Sequence, residues 1–386
     1  MGTKPRAGLV TALMLAVNLL TGMAAPDRYA VIVQDTTQPA ARFVEDAPNG
    51  MTRFFYDDYY YLADKECQFK AIERVGYFDR DKRVFAGEFT DFDNAGRVVL
   101  RGNYRDGRKH GLFRAYHPNG QLKWEVNFAE DLPQGMWKYY YPDGKPLLEV
   151  EYRGDGLNIR NYWDRRGRQR VADGEGRYEF EIEADGYNEF GYLRYNRRGK
   201  VVNGQPHGAW IVEYVFEDGK TEGAGHEYYQ HGKFLRGYDA YRDEEFFNAP
   251  RYGILPVNFF LRAVELIGKA CTIDEYSGFT GYLSRHLEEW FEGELDEMPD
   301  PVKVEFTIDV NENGAPGPID MKRTFSQKRY ATLLLEAIRA IAFWFPSYAG
   351  ETYIDDKLTV TVEAFPDAAE QKLRFFDTRI KRERGI

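Results

Sequence analysis

Hydrophobic positions recur along this chain with two distinct periods. Between Gly87 and Tyr152 the period is long: Gly87, Gly111 and Gly135 stand 24 residues apart. Behind them Phe89, Phe113 and Trp137 fall into register, as do Phe92, Tyr116 and Tyr140, then Gly96, Gly120 and Gly144, then Tyr104, Phe128 and Tyr152. Matched columns in three copies are an internal repeat. The pattern thins afterwards without stopping. Trp163 and Gly167, Tyr192 with Tyr195 and Gly199, Gly208 with Trp210 and Gly219, and Gly223 with Tyr228 and Gly232 mark further units.

Turn chemistry explains the repeat. His117-Pro118-Asn119-Gly120 and Tyr141-Pro142-Asp143-Gly144 each place Pro where φ must be near −65°, then Asn or Asp, then Gly where φ is positive. Tight turns of this kind join antiparallel strands, and turn length sets their register. The two motif aromatics lie three residues apart, which puts them on opposite faces of a regular strand. Aromatic ladders on both faces of a single-layer sheet satisfy that spacing, and so does a bulge; both readings stay open. Asp27 to Gly50 reads as a polar lead-in, and the aromatic-dense Arg53 to Glu73 as the first cap of the stack.

After Tyr241 the period shortens. Phe259 to Lys269 reads as a helix with Phe260, Val264 and Ile267 on one face, and His286 to Phe291 as a second short helix. Val302, Val304, Phe306, Ile308 and Val310 alternate as a half-buried strand. Ala331, Leu334, Leu335, Ile338, Ile341, Ala342 and Phe345 form a helical stripe closed by Pro346, and Leu358, Val360 and Val362 a last strand. The expected fold class is therefore mainly β with α+β: a single-layer meander of tandem antiparallel β-hairpins, then a strand–strand–helix–strand domain. The expected boundaries are 25–75 for lead-in and cap, 76–241 for the repeats, 242–300 for a helical connector, 301–366 for the α+β domain and 367–386 for a basic tail.

Composition sharpens this picture in three places. Aromatics make up 16% of the 386 residues, which suits pleated, half-buried surfaces. Lys4, Arg6 and the apolar run from Ala7 to Ala25 read as an export signal cut after Ala24, with an uncleaved membrane anchor as the rival. The expected location is periplasmic or secreted. Membrane association follows only if the segment stays in place. Its removal takes the formal charge from −10 to −12, a balance that argues against nucleic acid as a partner. Cys67 and Cys271 are either paired or two separate buried thiols.

Two stretches resemble known families. Gly111 to Gly120 and Gly135 to Gly144 resemble MORN repeats, in the short variant found in bacterial proteins labelled as antitoxins, and the likeness runs over about Gly76 to Tyr241. That resemblance implies a scaffold that binds proteins or lipids. Tyr252 to Phe365, with Ile319-Asp320 ahead of the helix and Ala340 to Pro346 at its end, resembles the C-terminal domain of TonB-type energy transducers. It implies a periplasmic module that captures a peptide along a sheet edge. The Pro-rich linker of that family is absent.

Candidate chemistry is sparse. Asp309, Asn311, Asn313 and Asp320, with Gly314, have the spacing of a calcium loop, but an Asn-Gly hairpin accounts for the same residues. His110 and His207 precede repeat glycines, and His226 and His231 fall on opposite faces of one strand. No serine sits in a nucleophile elbow. Arg160 to Arg170 is a basic patch with Tyr162 and Trp163. No catalytic residue, cofactor or metal is assigned. The expected role is an envelope interaction protein whose partner is a protein or peptide, with Leu358, Val360, Val362, Tyr116, Trp137 and Tyr140 as candidate contacts. An envelope carbohydrate hydrolase using carboxylates on the repeat face is the alternative.

Overall fold

The computed structural model describes residues 42–153 and 156–385. The segment read as an export signal lies outside the described residues. The described residues form two compact units. One holds Leu193–Lys269 and the described residues before Ala184; the other holds Ala184–Tyr192 and the described residues from Ala270 onward.

Among the described residues, the first unit is one eighteen-stranded sheet. Each hairpin pairs with the next in sequence order, antiparallel throughout, from Val44–Asp46 to Glu244–Phe246. The meander inferred from the repeat is the observed fold. Gly96, Gly120, Gly144, Gly167 and Gly219 all sit at positive φ, 74° to 82°, in the turns at one end of the strands. At the other end the strands return through two-residue turns with both residues left-handed: Asp106-Gly107, Asp173-Gly174, Asn203-Gly204 and His231-Gly232. These match the right-handed twist of a hairpin. Three of them stand in the sequence as Asp-Gly or Asn-Gly pairs, the fourth as His231-Gly232.

Structure begins earlier than expected. Val44–Asp46 pairs with Thr52–Tyr56 through a turn in which Asn49 and Gly50 have φ of 62° and 72°. The lead-in therefore ends before Gly50.

Of the two open readings of the aromatic spacing, ladders on both faces are observed. Phe89, Phe113 and Trp137 are buried on the inner face, and Phe92, Tyr116 and Tyr140 are half-buried on the other. A bulge also follows each turn, on the return strand. It is marked by the register step from Ala115↔Trp124 to Tyr116↔Leu122 and its counterparts one repeat before and after.

The inner face is covered by a strap. Within this strap, residues 251–269, Phe259 to Lys269 was expected to form a helix with Phe260, Val264 and Ile267 on one face. Instead Phe259–Val264 is a 3₁₀ turn that buries Phe260 and Ala263, while Val264 and Ile267 are exposed. The strap crosses the strands by hydrogen bonds from tyrosines: Tyr178 Oη donates to Ile254 O at 2.9 Å and Tyr56 Oη to Ala263 O at 3.3 Å. Asn258 Nδ2 donates to Tyr139 Oη at 3.1 Å, and Phe260 stacks on Trp124 at 5.1 Å. From residue 254 to 263 the strap can extend at most about 32 Å. The strands it bridges would span about 48 Å laid flat. The sheet accordingly curls toward the strap and closes one continuous core.

The second unit is a four-stranded antiparallel sheet in the order Pro316–Arg323, Val302–Val310, Asp356–Asp367, Lys372–Arg382. The helices Phe279–Phe291 and Lys328–Arg339 bury Phe279, Leu283, Leu287, Leu334 and Ile338 in the same core as Val304, Phe306 and Ile308. The strand expected to be last is followed by another. The segment 372–382, read as a basic tail, pairs along Asp356–Asp367 from Leu358↔Arg382 to Asp367↔Lys372. The expected helical stripe also ends early, at Arg339, so Ile341 and Phe345 lie beyond it.

Candidate binding face

On the solvent side of the first unit the repeat builds a regular surface. Phe92, Tyr116, Tyr140 and Trp163 stand outside the core cluster, half-buried, at equivalent positions of successive hairpins. Two strand spacings separate each from the next, about 10 Å. Bonds between neighbouring turns hold the spacing. His117 Nε2 lies 2.9 Å from Tyr140 O, Asn119 Nδ2 donates to Pro142 O at 2.7 Å, and Tyr141 Oη donates to Trp163 O at 2.8 Å. Burial, and after it the nearby Glu125 and Glu149, raises the Tyr140 phenol above its ordinary value.

Beside the ladder runs a row of polar side chains in direct cross-strand register: Thr90, Arg101, Arg114, Glu125, Lys138, Glu149 and Asn161. Arg114 Nε donates to Glu125 Oε2 at 3.2 Å and Asn161 Nδ2 to Glu149 Oε2 at 2.6 Å. Where ladder and row begin, Arg97, Val98, Arg101, Tyr116 and the Pro118-Asn119-Gly120 turn line a groove of about 410 Å³. Arg97 is held by Asp93 at 2.7 Å.

The candidate residues separate sharply in space. Tyr116 and Tyr140 share the outward ladder, but Trp137 points inward, 3% exposed, against Trp124 and Phe128, and is out of reach of a partner. Leu358, Val360 and Val362 are fully buried, and their strand is paired on both sides. Of the two readings of that strand, an open edge or one covered by the chain from Asp367, the second holds: segment 372–382 pairs along it.

The calcium spacing does not assemble into a site. Asn311 Oδ1 accepts the amides of Asn313 and Ala315 at 3.0 and 2.9 Å, as in an Asn-Gly turn. Asp309 faces Lys357 and Asp320 faces Lys322. Among the described residues no group of three or more His, Cys, Asp or Glu is placed to hold a metal. His226 packs on Tyr228 and Tyr238, whereas His231 sits in a left-handed turn against His207, rings 4.7 Å apart. In the basic patch, Arg160 reaches Glu151 and Arg168 reaches Asp164.

Sequence reasoning missed the buried charges. Arg74 and Asp91 form a two-point pair at 2.7 and 2.9 Å, fully buried, with Tyr60 Oη also donating to Asp91 at 3.0 Å. Arg197 and Glu227 form a second buried pair at 2.8 Å, and Glu227 also accepts the Arg251 amide at 2.7 Å. The available signal was register: Asp91 follows Phe89 by two residues, and Arg197 follows Tyr195 by two, so both point inward.

A family model described as a MORN repeat variant matches residues 109–130 and 133–153. The chain therefore carries MORN-type repeats, and the matched stretch is the part of the sheet that bears Tyr116 and Tyr140. No curated protein matches the chain.

Proposed function

We propose that this chain is an exported cell-envelope interaction protein whose curled repeat sheet presents the Phe92–Trp163 face to a partner. The observation that carries the reading is the outward aromatic ladder. Aromatic side chains held at a fixed spacing outside the core, beside an arginine-lined groove, are a surface kept for contact rather than for stability. Export is supported by the cysteines: Cys67 and Cys271 are both disulfide-bonded, a state that persists in oxidising compartments. The basic and apolar start of the sequence agrees with it. A TonB-like role for the second unit would make that unit the peptide-binding end. With Leu358, Val360 and Val362 buried and their strand flanked on both edges, binding is better placed on the repeat sheet. Glu125 and Glu149, the carboxylates nearest the ladder, are engaged by Arg114 and Asn161, which favours binding over hydrolysis.

The test is location together with contact. Osmotic shock should release the protein with no titratable thiol after denaturation. A photoreactive side chain at Tyr140 should give adducts in intact cells where one at exposed Phe247 gives none. Two reduced thiols, or identical adducts from both positions, would remove the reading.

A further inference from the structure

We infer that the groove at Arg101, with the ladder that leads away from it, binds a linear glycan bearing carboxylates on its sugar rings. This rests on the repeat sheet being an exported binding face.

Charge comes first. Arg101 stands directly opposite Arg114 across the strand pair, and Thr90 is its other neighbour. Like charges in that position cost stability. Arg114 offsets its charge on Glu125 and Arg97 on Asp93, but Arg101 is exposed and forms no ion pair among the described residues. An unpaired guanidinium facing solvent at the mouth of a groove presents a planar fork of donors that matches a carboxylate.

The walls define the rest of the ligand. Tyr116 and Pro118 offer flat, part-exposed apolar faces beside that fork. A sugar ring has the complementary form, a face of C–H groups edged by hydroxyls, and it carries its acid on the ring itself. Tyr140 and Trp163 then repeat the platform across the strands at intervals of about 10 Å. A row of equal platforms fits a polymer of equal units rather than one small molecule. One repeat further on, Gln121 and Glu125 occupy the positions of Arg97 and Arg101. The acid is therefore read at one end of the row, and the flat platforms beyond it favour sugar rings over the flexible side chains of an acidic peptide.

Affinity electrophoresis of the full chain tests this in gels containing polygalacturonate, neutral dextran or polyglutamate. Retardation is expected in polygalacturonate alone, weakening as salt screens the contact, with the polymer's length unchanged. Arg101→Gln and Tyr116→Ala should each weaken binding roughly tenfold, the size of one charged hydrogen bond, and leave the melting temperature within a degree or two. Equal retardation by polyglutamate would replace the glycan with an acidic peptide and overturn the inference. So would absence of retardation, or wild-type binding by Arg101→Gln. None of these results bears on the osmotic-shock and thiol measurements, by which the export reading stands or falls separately.

Discussion

Both units bury one face of an antiparallel sheet, yet they fill the buried layer with different chemistry. The C-terminal unit covers its sheet with two helices, and its core is largely aliphatic: Val304, Ile308, Leu334, Ile338, Leu358 and Val360. The repeat sheet covers itself by curling around a strap, and its core holds tyrosines, tryptophans and two buried ion pairs. The difference follows from backbone hydrogen bonding. A helix satisfies its own N–H and C=O groups, so the sheet beneath need offer only apolar surface. An extended strap does not, and its buried backbone groups need partners from the sheet. Tyr178 and Tyr56 supply donors to its carbonyls, and Glu227 accepts its Arg251 and Tyr252 amides. Tyr56 and Tyr178 thus owe their place in this core to covering a sheet with a strap.

The largest effect expected from that contrast is at Asp91. Asp91→Ala leaves Arg74 buried and unpaired among Phe89, Tyr56 and Tyr104, and should cost about 3–5 kcal/mol by chemical denaturation. Replacing the pair by Arg74→Met with Asp91→Leu should recover most of that loss. In the aliphatic unit, Leu334→Ala should cost about 2–5 kcal/mol, and no second substitution is available to restore a lost partner. An unrecovered double variant would mean that the ion pair itself, rather than the unpaired charge, carries the energy.

The two ladders of the repeat sheet form a second contrast. Trp137→Ala empties a packed inner position and should cost about 3–5 kcal/mol. Tyr140→Ala, outside the core cluster, should cost under about 1 kcal/mol, as surface changes usually do. Similar melting temperatures for the two variants would contradict the assignment of faces.

How much of this was legible depends on how local the cause is. The meander was readable because turn residues act within four positions, and Gly120 and Gly144 stand at φ of 81° and 82° where the turn chemistry required it. The strand Val302–Val310 was readable because its alternation is strict. Three features were not. The strap carries a helical spacing in Phe260, Val264 and Ile267 that contacts from strands far away in sequence override. The last strand, Lys372–Arg382, is masked by charge: Lys372, Arg374, Arg379 and Lys381 alternate poorly with Leu373, Phe375 and Ile380 across a bulge at Asp377, where φ is 49°. A basic edge strand protects itself from further pairing, and that is also what makes it read as a tail. Of the candidate contacts, Tyr116 and Tyr140 were found by repeat register. Trp137 was grouped with them although its spacing from Tyr140 already put it on the other face.

A smaller effect tests the turns that fix those ladders. Gly120 has a left-handed backbone but open space where a Cβ would lie. Gly120→Val should therefore lose about 1–3 kcal/mol through backbone strain alone, and Gly120→Asn, which tolerates that region, much less. Gly50 has the same conformation at φ 72°, with the same open space, and Gly50→Val should fall in the same range. If Val and Asn at position 120 prove equally costly, lost packing rather than φ is responsible.

The smallest expected effect separates the two units by pH. His286 lies half-buried on the helix Phe279–Phe291, with Nε2 2.8 Å from the carbonyl of Ala337 on the neighbouring helix. Burial lowers its pKa from the ordinary 6.5, and the bond to Ala337 and the charge of Glu189 only partly oppose this. The folded ring thus stays neutral at a pH where the unfolded chain has begun to take up a proton. Where the unfolded state binds more protons, stability rises with pH. The contribution of His286 is complete above about pH 6.5 and is lost as pH falls through that value toward the folded pKa. Stability of the wild type should therefore decline between pH 7.5 and 5.5 more than that of His286→Gln, whose amide can still donate to Ala337 but does not titrate. The decline should be confined to the aliphatic unit, followed by hydrogen exchange of the Lys328–Arg339 amides, while amides of the repeat strands keep the same wild-type-to-variant ratio throughout. Parallel pH profiles for the two proteins would show that the ring is free to protonate in the folded state, and that the helix pair is more open to water than its packing implies.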